Sequence, residues 1–145
     1  MASSWQWLAN TTLESPNANL DVTWSNTKQH LKIIFHGLAQ SANSNGNMRV
    51  GTAGSVDASE DYIYRATLNG SGSYGGGATN EFAIVTDGNS GGDSYGTVEI
   101  INITGKEKLC TIHTQASGSG AGSRPSRNEL TGKYVKSAQI NFIRF

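Results

Sequence analysis

Period-two alternation of apolar and polar residues, interrupted by glycine-rich turns, runs through this chain and leaves no room for a long helix. Residues 31–38 place Leu31, Ile33 and Phe35 on one face, in a run that is β-branched and aromatic and too short for a helix. Residues 97–104 place Val98 and Ile100 on one face and Ile101 and Ile103 on the other. A strand apolar on both faces belongs in the middle of a sheet or against a partner subunit. After Gly105-Lys106-Glu107, residues 108–115 read as the returning arm of a hairpin, with Leu109, Thr111 and His113 alternating with Cys110, Ile112 and Thr114. Residues 137–145 alternate Ala138, Ile140, Phe142 and Arg144 with Gln139, Asn141, Ile143 and Phe145.

Weaker strand patterns cover 20–24, 48–51, 61–67, 81–86 and 129–135, and 4–9 reads as a strand or a single helical turn. The sum is about nine or ten strands. Crossover helices are missing, which removes parallel β/α architectures. The expected fold is all-β, an antiparallel β-sandwich of jelly-roll-like type, in one domain over 1–145. Composition agrees: charged residues are 15%, against roughly 25% in an average soluble protein, and Gly, Ser, Asn and Thr fill the difference. Three polar, glycine-rich stretches, 69–80, 87–96 and 116–125, read as long loops suited to contact with a neighbour.

Charge excludes some roles. Eleven basic and eleven acidic residues cancel, and only Arg124, Arg127, Lys133 and Lys136 gather in one stretch. Nucleic-acid binding, which needs a basic face, is not expected. No apolar run approaches the ~20 residues of a membrane helix, and the residues after Met1 lack a signal-peptide pattern. The chain is expected to fold in a reducing cytosol, with its one cysteine, Cys110, a buried inert thiol. The sequons at Asn10, Asn69 and Asn102 then carry no glycan.

Catalytic chemistry is thinly represented. Of the three histidines, His30, His36 and His113, the last two lie on expected strands with no Asp, Glu or Cys at metal-ligand spacing, and no Gly-x-Ser-x-Gly elbow is present. The acids (Asp57, Glu60, Asp61, Glu81, Asp87, Asp93, Glu99, Glu107 and Glu129) form no glycosidase signature. The loop 87–93 offers oxygen donors but lacks the bidentate Glu of calcium loops, so neither a metal nor a cofactor is expected. Aromatic residues are the better lead. Trp5 and Trp7 would share a face of a strand, packing in the core or at a subunit interface, and Tyr74 with Tyr95 would form a sugar-stacking platform on glycine-rich loops.

Several motifs go further. Trp5-Gln6-Trp7-Leu8-Ala9 is followed by Thr11-Thr12-Leu13, and Tyr62-x-Tyr64-Arg65 precedes an Asn69-Gly70 turn. Then come the run from Ile101 through Gly105-Lys106-Glu107 to Leu109, His113, Gly118-x-Gly120, Pro125-x-Arg127-x-Glu129, Gly132-Lys133-Tyr134 and Gln139-Ile140. On these residues the chain resembles small structural proteins of tailed phages, over nearly its whole length and most strongly across 101–133.

The resemblance implies a non-enzymatic virion component, made in the host cytoplasm: a capsid decoration (cement) protein, a head fibre or a tail-associated sandwich. Its partners would be the major capsid protein, a tail or fibre component, or its own copies in a homo-oligomer, with a trimer favoured. No catalytic residue carries over. Arg127, Glu129 and Lys133 would make interstrand or intersubunit ion pairs that fix register. The alternatives are a carbohydrate-binding, receptor-recognition module and, behind it, a small sandwich hydrolase.

Overall fold

A computed structural model describes residues 5–14, 19–25, 28–38, 46–85, 93–117, 122 and 124–145. Among these residues eleven strands follow in chain order: β1 (Asp21–Thr23), β2 (His30–His36), β3 (Gly46–Thr52), β4 (Ser55–Val56), β5 (Tyr62–Leu68), β6 (Ser71–Thr79), β7 (Phe82–Val85), β8 (Ser94–Ile101), β9 (Lys108–Ala116), β10 (Ser126–Tyr134) and β11 (Phe142–Arg144). Every pairing is antiparallel. One sheet runs β1-β11-β3-β4, with β7 also on β3, and the other runs β2-β8-β9-β10-β5-β6. The two pack face to face as a sandwich. Among the described residues there is no helix, and hence none able to cross a membrane.

The strand order carries more information than the strand count. Without the two-residue β4 and the hairpin β8–β9, eight strands remain. Numbered afresh, one sheet then reads first-eighth-third-sixth and the other second-seventh-fourth-fifth. That is the order of a jelly roll, two Greek keys closed over each other. The hairpin β8–β9 is therefore an addition, placed between the second and seventh strands of the roll, and it widens one sheet to six strands.

Alternation in the sequence becomes alternation in space. Along β9, Lys108, Cys110, Ile112, Thr114 and Ala116 face inward and are buried, while Leu109, Thr111, His113 and Gln115 face out. Along β10 the inward set is Ser126, Asn128, Leu130, Gly132 and Tyr134. Val98, Ile112, Ile84, Val50 and Met48 are wholly buried, each contributing about 1.5–3 kcal/mol of transfer free energy. Gly96 and Gly132 also face inward: a Cβ on Gly96 would stand 2.6 Å from the Phe35 ring, and one on Gly132 would stand 2.7 Å from the Phe82 ring. Each glycine makes room for an aromatic ring.

Most inward polar groups find partners among the described residues, as burial demands, and the Trp24 indole N–H is one that does not. Tyr62, on β5, crosses to the other sheet: its hydroxyl accepts from the Val50 N–H (3.0 Å) and lies 2.9 Å from the Val50 carbonyl and 2.8 Å from that of Asp57. Burial pushes its ionisation well above the ordinary tyrosine range. Thr114 Oγ1 and Asn128 Nδ2 both donate to the Ile84 carbonyl. Lys108, 1% exposed, donates from Nζ to the carbonyls of Ile103, Lys106 and Ser137, tying the β8–β9 turn to the segment before β11. Desolvation lowers its pKa.

The structure moves several expected bounds: β8 begins at Ser94, inside the stretch 87–96 read as a loop, and ends at Ile101 rather than at Thr104. The stretch 69–80 is not a loop, because β6 occupies most of it and pairs with β5 through an Asn69-Gly70 turn in which both residues have positive φ (54° and 73°). The closing strand is shorter than 137–145: it spans Phe142–Arg144, Phe145 exchanges both main-chain hydrogen bonds with Leu20, and Ser137 and Asn141 serve as hydrogen-bond anchors. Residues 5–10 form neither a strand nor a helical turn.

An acid-sensitive cluster lies beside the β3–β5 connection. Burial pulls the Asp57 carboxyl up, but hydrogen bonds from Ser59 and Tyr134 and the charge of Lys136 outweigh it and hold the pKa below the usual 3.8. A depressed carboxyl binds fewer protons folded than unfolded, so its contribution is complete above pH ~4 and is lost as pH falls through the lowered value. Asp57→Asn is therefore expected to flatten the acid side of the stability curve below pH ~4, read by urea denaturation at a series of pH values. An unchanged slope would overturn this assignment.

Candidate binding surface on the outer face of the six-stranded sheet

The added hairpin presents its outward residues at the centre of the wide sheet. Backbone register sorts them into rows: His36, Tyr95, Gln115 and Arg127; then Ile34, Thr97, His113, Glu129 and Thr67; then Lys32, Glu99, Thr111, Thr131 and Arg65; then His30, Ile101, Leu109, Lys133 and Ile63. Cross-strand neighbours lie about 4.5–5.5 Å apart, so each row is a continuous strip of side chains.

The first two rows enclose a shallow hollow of about 290 Å³ lined by Tyr95, Thr97, His113, Gln115, Arg127 and Glu129. The Tyr95 hydroxyl donates to Gln115 Oε1 at 2.8 Å, fixing a ring that remains 52% exposed. Glu129 Oε1 stands 3.7 Å from Arg127 Nε and 3.9 Å from His113 Nδ1, beyond hydrogen-bond length for either. These groups therefore keep free donors and acceptors toward solvent. One carboxylate lines the hollow, so it holds no carboxylate pair for acid–base hydrolysis of a glycosidic bond. Planar polar groups around an exposed ring suit reversible binding.

The lower rows differ. Ile101 and Leu109 are register partners, 42% and 53% exposed, and above them Ile34, the second row's end at the sheet margin, is 71% exposed. Surface pairs Lys32–Glu99 (2.9 Å) and Lys133–Glu107 (3.1 Å) frame them. Exposed pairs of this kind add little stability, but they set register.

The candidate residues are placed as follows. Trp5 and Trp7 are not core residues: they are 73% and 78% exposed, while Leu8 and Ala9 between them and the sandwich pack on the core. Tyr74 and Tyr95 do not form one platform. Tyr74 is paired with buried Ala66 on the core side of the sheet, donates to Asn128 Oδ1 (2.9 Å) and meets Tyr64 edge-on, whereas Tyr95 points outward on β8. Arg127, Glu129 and Lys133 do share the outer face of β10, where Glu129 bridges toward both Arg127 and the neighbouring strand's His113. Cys110 is buried, and burial pushes its thiol up to about 12, so it stays protonated. Most of the loop 87–93 lies outside the described residues, as does Gly118-x-Gly120. Among the described residues, no three of His, Cys, Asp and Glu come within reach of one metal ion.

Sequence reasoning missed the hollow because its walls come from three strands that alternate correctly but whose mutual register is not written in any one of them. The sequence marks Asn102 as a sequon and Lys108 as the start of the hairpin's returning arm, and it does not show that both are buried hydrogen-bond hubs.

Fold and surface together define an antiparallel jelly-roll sandwich with an added hairpin whose outer face is open for contact. No protein-family model matches the chain, and no curated protein or solved structure is significantly similar to it.

Proposed function

We propose that this protein is a non-enzymatic virion structural protein of a tailed phage, acting as a capsid decoration (cement) protein that binds the capsid surface or its own copies. The observation that carries this reading is the pair of tryptophans held outside the fold. Segment 5–9 is fastened to the core by Leu8 and Ala9, yet it leaves Trp5 and Trp7 in solvent. Tryptophan is the residue type most enriched among energetic anchors of protein interfaces. The jelly-roll strand order supports the reading as a fold-level analogy, since viral capsid domains use it, and lectins use it too.

The test is the double variant Trp5→Ser/Trp7→Ser, added to purified particles of the source phage stripped of the protein. Because neither side chain packs in the core, stability should stay within about 0.5 kcal/mol. Binding to particles should fall by more than about tenfold, the effect of losing interface anchors. Unchanged retention, or absence of the native protein from particles by mass spectrometry, would overturn the proposal.

The hollow favours a second reading, a glycan-recognition module. Tyr95, braced by Gln115 and flanked by Arg127 and Glu129, has the stacking ring and planar hydrogen-bonding groups that a sugar needs. The same experiment separates the two. Tyr95→Ala should leave particle binding intact under the decoration reading, and should abolish retention on a glycan array under the other.

A further inference from the structure

The wide sheet ends on one side at β2, whose outer edge no described strand covers. Which of its main-chain groups are free follows from the ladder. The Asn102 N–H donates to the Gln29 carbonyl (2.6 Å), and the Gly37 N–H donates to the Ser94 carbonyl (2.8 Å). Bonded pairs in an antiparallel ladder recur at every second residue. Leu31, Ile33 and Phe35 therefore direct their N–H and C=O groups to β8, and His30, Lys32, Ile34 and His36 direct theirs outward.

Natural proteins blunt such an edge with proline, bulges or very short strands. The opposite edge, β6, pairs with β5 through register shifts, whereas β2 keeps unbroken register with β8 over seven residues and contains no proline. Ile34 stands 71% exposed beside it.

We infer that β2 is a self-pairing edge, joining two copies of this chain antiparallel about Ile33 into one continuous sheet of twelve strands. The sequence of β2 selects the occupant and the register. His30-Leu31-Lys32-Ile33-Ile34-Phe35-His36 is nearly palindromic in character. Pairing about Ile33 sets His30 opposite His36, Leu31 opposite Phe35 and Lys32 opposite Ile34. All seven residues overlap, inward residues meet inward residues, and the outward-directed groups of the four even positions supply every bond. A shift toward Lys32 would set two lysines face to face, and a shift toward Ile34 would shorten the overlap. Ile33, half-buried at the sandwich margin, would meet its own copy and close the core there. The contact is twofold and isologous, so a trimer would have to form on other surfaces.

Analytical ultracentrifugation of the whole chain tests this with three variants. The N–H of Ile34 points away from β8, so Ile34→Pro removes an edge donor and blocks the approach while sparing the internal ladder. It should weaken dimerisation by more than about tenfold with an unchanged circular dichroism spectrum. Ile34→Lys places a new lysine opposite Lys32 of the other copy and should weaken it likewise, whereas Ile34→Glu should retain the dimer.

Cross-linking reads the register independently of fold. Ile33 meets its copy as a non-bonded pair, Cα atoms about 4.5 Å apart, within disulfide range. Ile33→Cys should give a covalent dimer on oxidation and Ile34→Cys should not, with buried Cys110 as a silent background. A wild-type chain that is monomeric up to its solubility limit, oligomers insensitive to Ile34→Pro, or equal cross-linking at 33 and 34 would each overturn the inference. It rests on the self-association part of the virion reading. A monomer that still labels particles would overturn this contact alone, and dimers absent from particles would overturn the virion role alone.

Discussion

Asn102→Leu is expected to lower the unfolding free energy by about 3–5 kcal/mol, from the cost of orphaning buried polar groups. Asn102 follows β8 and is wholly buried. Its Nδ2 donates to the carbonyls of Lys28 (2.9 Å) and Ile140 (3.0 Å), and its Oδ1 accepts from the Ile140 N–H (2.8 Å). Leucine matches the volume but pairs with none of these groups. Three main-chain atoms would then lie unsatisfied where the segments before β2 and before β11 meet the end of β8. Each costs about 1–3 kcal/mol, and local rearrangement recovers part of the sum. Urea denaturation followed by tryptophan fluorescence would report the loss, with a fall in Tm of roughly 10 °C for a chain of this size. Glu107→Ala, which removes only the exposed pair with Lys133, should stay within about 0.5 kcal/mol. A leucine variant within 1 kcal/mol of wild type would mean that the polar junction contributes nothing net, a possible outcome when both partners of a bond are replaced but not when one is. The same geometry accounts for the sequon at Asn102: its amide nitrogen is already committed on both protons.

The strands that sequence reading located most cleanly were those whose side chains alternate between water and the core. β9 is the clear example, since Cys110, Ile112 and Thr114 on one face and Leu109, Thr111 and His113 on the other are separated in the fold as they are by spacing. β8 was legible as an interior strand because both faces are apolar, and it does lie between β2 and β9. β6 was hidden for a physical reason. Ser-Gly-Ser-Tyr-Gly-Gly-Gly-Ala-Thr has almost no β-branched content, and it is held by the ladder with β5 and by the Asn69-Gly70 turn rather than by propensity. The turn was legible and the strand after it was not.

The candidate surface was half legible. Arg127, Glu129 and Tyr95 drew attention one by one, but nothing in the sequence says that Gln115 lies opposite both Tyr95 and Arg127. Tyr74 misled because a tyrosine among glycines reads as an exposed loop residue, whereas its position opposite Ala66 turns it into the core. For Trp5 and Trp7 the sequence left core and subunit interface open: large aromatic residues are buried more often than not, but exposure rules out the core and leaves the interface alternative that the functional reading uses. The jelly-roll order gives these placements a logic. The hairpin β8–β9 is not needed to close the roll, yet it supplies Tyr95, Thr97, Ile101, Leu109, His113 and Gln115 to the outer face and gives β2 its only partner among the described strands. The outward residues that line the hollow and its apolar neighbours thus come largely from the part of the fold that closure does not require.

Gly51→Ala is expected to cost about 3 kcal/mol or more, the upper end for overpacking, although it adds a single methyl group. A Cβ on Gly51 would stand 1.8 Å from the Ser55 carbonyl oxygen, 2.8 Å from its carbon and 2.9 Å from the Val56 Cα. All three are main-chain atoms, so no side-chain rotation relieves the overlap. The β3–β4 hairpin itself would have to open. Its turn is already committed, with Ala53 and Gly54 both at positive φ (55° and 77°), the conformation of a tight two-residue connection. Opening it would disturb three further contacts: the Asn141 N–H bond to the Gly51 carbonyl (3.1 Å), the Asn141 Oδ1 bond from the Ala53 N–H (2.8 Å), and the register of β11 on β3. Since β3 also pairs with β7, the defect would reach all three strands paired with the one that organises the smaller sheet. Gly54→Ala, which meets no atom within 4 Å but keeps a positive φ, separates strain from collision and should cost only about 1 kcal/mol. Thermal and urea unfolding of the two variants would show the ranking. Equal losses at both positions would mean that the hairpin yields easily, and that β4 contributes little to holding β3 in place.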